Sequence, residues 1–166
     1  MKNNFLGRGR FFASVAGVAI AGMLILSACD KDDDDIKNPS GAKYTISGTA
    51  SGDQEVPAVT TGGTGTLTGS YDTVSKSLIY TINWSGLAGG VVTVAHFHGP
   101  ALPGESAPPL QDLTIVTSDA VSGSAKDTIT ASADLHTALM AGKVYYNIHN
   151  ATYPDGEIRG HVNLAQ

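Results

Sequence analysis

The chain has 166 residues, 42% of them hydrophobic and 15% charged, with 20 glycines and a single cysteine. So little charge excludes a coiled coil or a disordered chain, and one cysteine excludes a disulfide framework or a CxxC metal or redox site. A net charge of −5 argues against a nucleic-acid partner, which requires a basic face for phosphates.

Residues 1–28 join a basic head, Lys2, Arg8 and Arg10, to an apolar run from Phe11 to Ala28, the layout of a secretory signal. The run ends Leu26-Ser27-Ala28-Cys29, which resembles the bacterial lipobox. That resemblance implies a lipoprotein signal peptide over residues 1–28. Cys29 then becomes the mature N-terminus, diacylated with palmitate-type chains and anchored to a membrane. The alternatives are a transmembrane anchor, for which the run sits at the lower length limit, and a cleaved signal followed by an incidental cysteine. Residues 29–43 read as tether and linker. The aspartates of Asp30-Lys31-Asp32-Asp33-Asp34-Asp35 repel one another and keep this segment extended. The acidic stretch also resembles the export signal of Bacteroidetes-type lipoproteins. It implies an outer-membrane protein displayed at the cell surface, with the periplasmic face as the alternative.

Residues 44–166 form the folded domain. Period-2 runs separated by Gly, Pro, Asn and Asp clusters predict strands at Tyr44–Ala50, Gly63–Tyr71, Ser77–Trp84, Val91–His98, Leu110–Thr117, Ala125–Ala131, Lys143–His149 and Glu157–Leu164. One short helix is expected over Asp134–Ala141, capped by Ser132 or Asp134 and ended by Gly142. The fold class is therefore all-β: an antiparallel sandwich or barrel of about eight strands. In the third strand Leu78, Tyr80, Ile82 and Trp84 share the inward parity. The seventh strand alternates less cleanly, Val144, Tyr146 and Ile148 against Tyr145, Asn147 and His149. The segment Thr64–Gly69 is a candidate edge strand.

Two constellations carry chemistry. In Ala95-His96-Phe97-His98-Gly99-Pro100, two histidines one residue apart on a strand share a face, and their rings can converge on one ion. The loop from Gly99 to Pro109 beside them offers room for an open coordination position. An exposed or mutually hydrogen-bonded histidine pair is the plainer alternative. In the second, a strand ends at Tyr146-Asn147-Ile148-His149-Asn150. It turns through Pro154-Asp155-Gly156 and returns with Glu157 and Arg159 on one side. Glu157 either joins the histidines as a ligand, orients a ring from behind, or pairs with Arg159. Arg159 is also suited to docking a carboxylate or phosphate.

These motifs together resemble the CHRD domain. The resemblance rests on His-x-His-Gly, Tyr-x-Asn-x-His and the Pro-x-Gly-Glu-Ile-Arg-Gly run of residues 154–160. Gln54-Glu55-Val56-Pro57 matches the family's opening element, Ser85-Gly86-Leu87 the segment before the His-x-His strand, and Lys143–Asn147 the approach to the second histidine motif. It covers residues 44–164. The departures are Asn150, where the family usually has Thr, and the apolar Ala107-Pro108-Pro109-Leu110. The resemblance implies an extracytoplasmic, immunoglobulin-like sandwich or barrel and no particular activity.

The functional expectation is a cell-envelope lipoprotein displaying a non-catalytic binding module for a protein or glycan partner. No nucleophile–base–orienter set is visible in the sequence. The alternative is a copper- or zinc-binding domain with His96, His98 and His149 as ligands and Glu157 as a fourth ligand or ring partner. Asn147, Arg159, His161 and Glu55 form a candidate polar network or ligand-binding group. His161 is a further candidate ring, and His136 is expected at the surface.

Overall fold

The structure, a computed structural model, describes residues 41–166. The expected signal peptide, Cys29 and the aspartate run of the expected tether lie outside the described residues. The strands are β1 (Lys43–Ser51), β2 (Thr64–Asp72), β3 (Ser77–Ser85), β4 (Val92–His98), β5 (Pro109–Asp112), β6 (Ile115–Ser118) and β7 (Gly123–Thr130). The helix α1 (Ala133–Met140) follows, then β8 (Tyr145–Asn150), β9 (Ile158–His161) and β10 (Asn163–Ala165). A 3-10 turn over Gly52–Gln54 follows β1. The fold is all-β, as the alternation predicts. One antiparallel sheet, ordered β5-β4-β8-β9-β1-β2-β3-β7-β6 with β10 beside β1, curls into a half-barrel.

Two predicted strands are each divided, which gives ten strands in place of eight. The expected Leu110–Thr117 strand breaks at Leu113, which is buried in the core and donates its N–H to the Ala95 carbonyl at 2.8 Å. Here the chain leaves its partner β4 and joins β7 at the other end of the sheet, so no single run can satisfy both ladders. The last strand breaks at Val162, also buried, whose N–H turns to the Val144 carbonyl. Thr64–Gly69 is not an edge: it belongs to β2, paired on both sides by β1 and β3. The edges are the short strands β5 and β6.

The core follows the predicted parity. Leu78, Tyr80, Ile82 and Trp84 of β3 are buried together with Ile46, Leu67, Tyr71, Phe97, Ile148 and Ile158. Burying such side chains stabilises the fold by roughly 1.5–3 kcal/mol each. In α1 the Ser132 hydroxyl accepts the Leu135 N–H at 3.2 Å, while Leu135, Ala138 and Leu139 face inward. Gly142 ends it at φ +65°, the left-handed position that glycine fills without strain. All six residues of β8 are buried, which explains its weak alternation. Tyr146 and Ile148 enter the core. Tyr145, Asn147 and His149 bond instead to the loop before β5 and to the turn before β9.

Candidate functional site

The β4–β8 register sets the site. It places Val94 opposite His149, His96 opposite Asn147 and His98 opposite Tyr145. Side chains of one parity on both strands therefore share the face away from the core. His96, His98 and His149 converge there, each offering one ring nitrogen, and these atoms all lie within 4.8 Å of one another. Nδ1 of His96 is 3.1 Å from Nε2 of His149.

The other nitrogen of each ring has an acceptor behind it. Nδ1–H of His98 donates to the Ala107 carbonyl and Nδ1–H of His149 to the Pro154 carbonyl, both at 2.9 Å. Nε2 of His96 lies 3.4 Å from the Asp112 carboxylate, directly across the β4–β5 pairing. A carbonyl only accepts, so these contacts place the ring protons of His98 and His149 on their outward Nδ1 atoms. Nε2 of each of these two rings then carries a lone pair. Nε2 of His98 is buried with no hydrogen-bond partner among the described residues. Burial holds His98 and His149 below the ordinary histidine range, and so in the neutral, ligating form.

A stack stands beside the rings. The His98 and Tyr145 rings lie 4.8 Å apart and within 6° of parallel, and the Arg159 guanidinium sits 3.4 Å from the Tyr145 centroid. Arg159 also donates to the Glu105 carbonyl. Tyr145 and Ala107 bond to each other, hydroxyl to carbonyl and amide to hydroxyl, at 3.2 Å. These contacts fasten the loop between β4 and β5 over the site. Glu55 is buried, with Oε1 lacking a partner among the described residues. Burial pushes its carboxyl up to about 7, against the pull of Arg159. Asn147 donates to the Asp155 carbonyl at 3.2 Å and leaves its own carbonyl oxygen unpartnered. A cleft of about 260 Å³, lined by Asp53, Gln54, Pro103 and Gly104, opens beside Glu55 and His161.

The structure separates Glu157 from the histidines. Its carboxylate accepts from Thr61 Oγ1 (2.5 Å), Asn150 Nδ2 (2.5 Å) and the amides of Ala88 (2.6 Å) and Gly89 (3.0 Å). With those donors it neither joins the three rings, nor orients one, nor pairs with Arg159. Burial pushes this carboxyl up, but the four hydrogen bonds together outweigh it and hold it below the usual value. Arg159 meets Tyr145 and a carbonyl, with no carboxylate in ion-pair range among the described residues. His161 packs on the Tyr145 ring at 6.1 Å, outside the three-ring group. His136 is half-buried rather than on the surface, with Nδ1 2.5 Å from the Tyr71 hydroxyl. Asn150, in place of the family's Thr, is buried. Its amide oxygen takes the Thr152 and Tyr153 N–H groups while its nitrogen reaches Glu157.

Sequence reasoning missed Asp112 and Tyr145 and the carbonyls of Ala107 and Pro154. Asp112 faces His96 only through strand pairing, and a carbonyl carries no sequence signal. The alternation of the seventh strand contained the one available clue, Tyr145 sharing parity with His149.

The sequence profile of the family described as the CHRD domain matches residues 46–162. No curated protein and no solved structure matches the chain.

Proposed function

The chain belongs to the CHRD domain family, and on that premise we propose that its domain binds a copper or zinc ion through His96, His98 and His149. The observation that carries this reading is the 3.1 Å approach of His96 Nδ1 to His149 Nε2. His149 engages its Nδ1–H on the Pro154 carbonyl, so its Nε2 turns a lone pair toward His96 Nδ1, at the spacing of two nitrogens that share a proton or a cation. Metal–nitrogen bonds of 2.0–2.1 Å in a tetrahedral shell set ligand nitrogens about 3.3 Å apart, and this pair already has that spacing. The buried, unpartnered Nε2 of His98 completes the donor set. The carbonyls of Ala107 and Pro154 hold His98 and His149 in their ligating tautomer and the carboxylate of Asp112 stands behind His96, the role of a second layer around a metal. A proton shared by His96 and His149 alone would leave His98 Nε2 without any partner.

Calorimetric titration of Zn²⁺ and Cu²⁺ into the full chain in detergent, beside the His96→Ala/His98→Ala double variant, tests the reading. Micromolar or tighter binding that disappears in the variant is expected. A wild-type protein that takes up neither ion, nor reduced copper, overturns it.

The domain is placed at the outer membrane, tethered through a diacylated Cys29 and displayed at the cell surface. This location rests on the lipobox-like Leu26–Cys29 segment and the aspartate run after it. Cys29→Ser is expected to lose the acyl mass and leave the membrane fraction. Protease shaving of intact cells distinguishes the two faces of the membrane.

A further inference from the structure

We infer that this site selects a monovalent ion, copper(I), over Zn²⁺ and copper(II), and that the buried Arg159 guanidinium sets the preference. The inference rests on the metal reading above and concerns the charge that the site accepts.

The three donors are imidazoles, which bring no negative charge to the ion. The one carboxylate expected to join them, Glu157, is engaged elsewhere by four hydrogen bonds. A dication there would keep its whole charge instead of sharing it with an anionic ligand. Arg159 adds to that charge. It is 1% exposed, and among the described residues its Nε has no hydrogen-bond partner and no carboxylate lies in ion-pair range of it. A buried cation without a counter-ion is costly and uncommon, because burial removes water and a partner normally replaces it.

The guanidinium is close to the ion position. β8 is flanked by β4 on one side and β9 on the other. Tyr145 of β8 thus receives His98 from β4 at 4.8 Å and Arg159 from β9 at 3.4 Å. One aromatic ring separates the fixed positive charge from a ligand ring. The nearby acids do not cancel it. Asp112 has a side chain 84% exposed, and Asp155 is exposed as well, so water screens both. Glu55 is buried, and burial lifts its carboxyl to about 7 against the pull of Arg159, so near neutral pH it is only partly ionised.

Repulsion from a fixed cation scales with the charge of the ion, so a dication is penalised twice as much as a monocation at the same place. Imidazole nitrogen suits both copper and zinc, so the donor type does not decide. Copper(I), a closed-shell ion of single charge, is satisfied by three neutral nitrogens. Zn²⁺ takes four ligands and would need a water or another group beside the three rings.

The test uses the full chain in detergent under anaerobic conditions. Copper(I) and Zn²⁺ affinities are read by competition with chromophoric chelators, and the reduction potential of bound copper by electrochemistry. Wild type is compared with Arg159→Lys, which keeps the charge, and Arg159→Gln, which removes it. Copper(I) is expected to bind more tightly than Zn²⁺ in the wild type. R159Q should narrow that ratio by roughly tenfold and lower the potential, while R159K preserves both. A site merely loosened by the substitution would lose both ions together and leave the ratio unmoved. A wild type that prefers Zn²⁺, or a folded R159Q with an unchanged ratio, overturns the inference while leaving metal binding in place. If R159Q does not fold, the wild-type order decides alone. Absence of binding by either ion overturns the metal reading, and this inference with it.

Discussion

His96 Nδ1 and His149 Nε2 stand 3.1 Å apart across the β4–β8 pairing, although 53 positions separate the two residues in the chain. Each ring is held from behind by a group that only accepts, Asp112 for His96 and the Pro154 carbonyl for His149. The approach of the two ring nitrogens is thus built into the register and the turn that follows β8.

Removing the support behind His96 tests this arrangement without touching a ligand. Asp112→Ala is expected to weaken metal binding by about tenfold, the lower end of the range for such partners, because the carboxylate is largely exposed. Thermal stability should hardly change, since an exposed pair contributes at most about 1 kcal/mol. Calorimetry and a melting curve on the same sample check both halves.

Glu157 ties the Ala88–Gly89 loop, Thr61 and Asn150 to one buried carboxylate. Glu157→Gln puts an NH2 group where two donors already point, and should cost about 2–3 kcal/mol at pH 7 in urea unfolding. Its folded pKa lies below the unfolded value. The ionised form therefore contributes stability that is fully present above about 4.5 and lost as the pH falls through the folded pKa. The variant should show a flatter acid limb than the wild type.

Glu55 has the opposite sign. Burial raises its carboxyl to about 7, with Arg159 and the Asn147 amide opposing and Asp155 adding to the rise. A folded pKa above the unfolded one means a stabilising contribution that is complete below about 4.5. It is lost as the pH rises through about 7. Glu55→Gln, neutral at every pH, should remove this loss. Relative to wild type it should gain about 2 kcal/mol between pH 5 and pH 8. Urea midpoints at the two pH values measure it.

Gly156 holds φ +120°, and a Cβ there would strike Glu55 Oε1 and the Asn147 amide. Gly156→Ala should destabilise by roughly 2–3 kcal/mol. It should also weaken metal binding, because the displaced turn carries the Pro154 carbonyl that orients His149. Melting temperature and metal affinity are expected to fall together, in contrast to D112A, where only affinity moves.

Much of the architecture follows from local pattern. Strand parity is a property of successive residues, so the buried faces of β3 and the Ser132-capped helix could be read directly from the chain. The single cysteine likewise excluded a disulfide framework, and His-x-His marked two of the three convergent rings. The breaks at Leu113 and Val162 escaped this reading because each is set by a carbonyl on another segment, Ala95 or Val144. The fate of Glu157 escaped it for the same reason. Equal parity within one strand places Glu157 and Arg159 on one side, but the donors at Ala88 and Gly89 come from the loop after β3 and draw the carboxylate away. Sequence alone determined which residue types are available and which way each strand alternates. The tertiary structure decided which distant groups stand opposite them, because register, loop closure and burial fix tautomer, charge state and hydrogen-bond partners together.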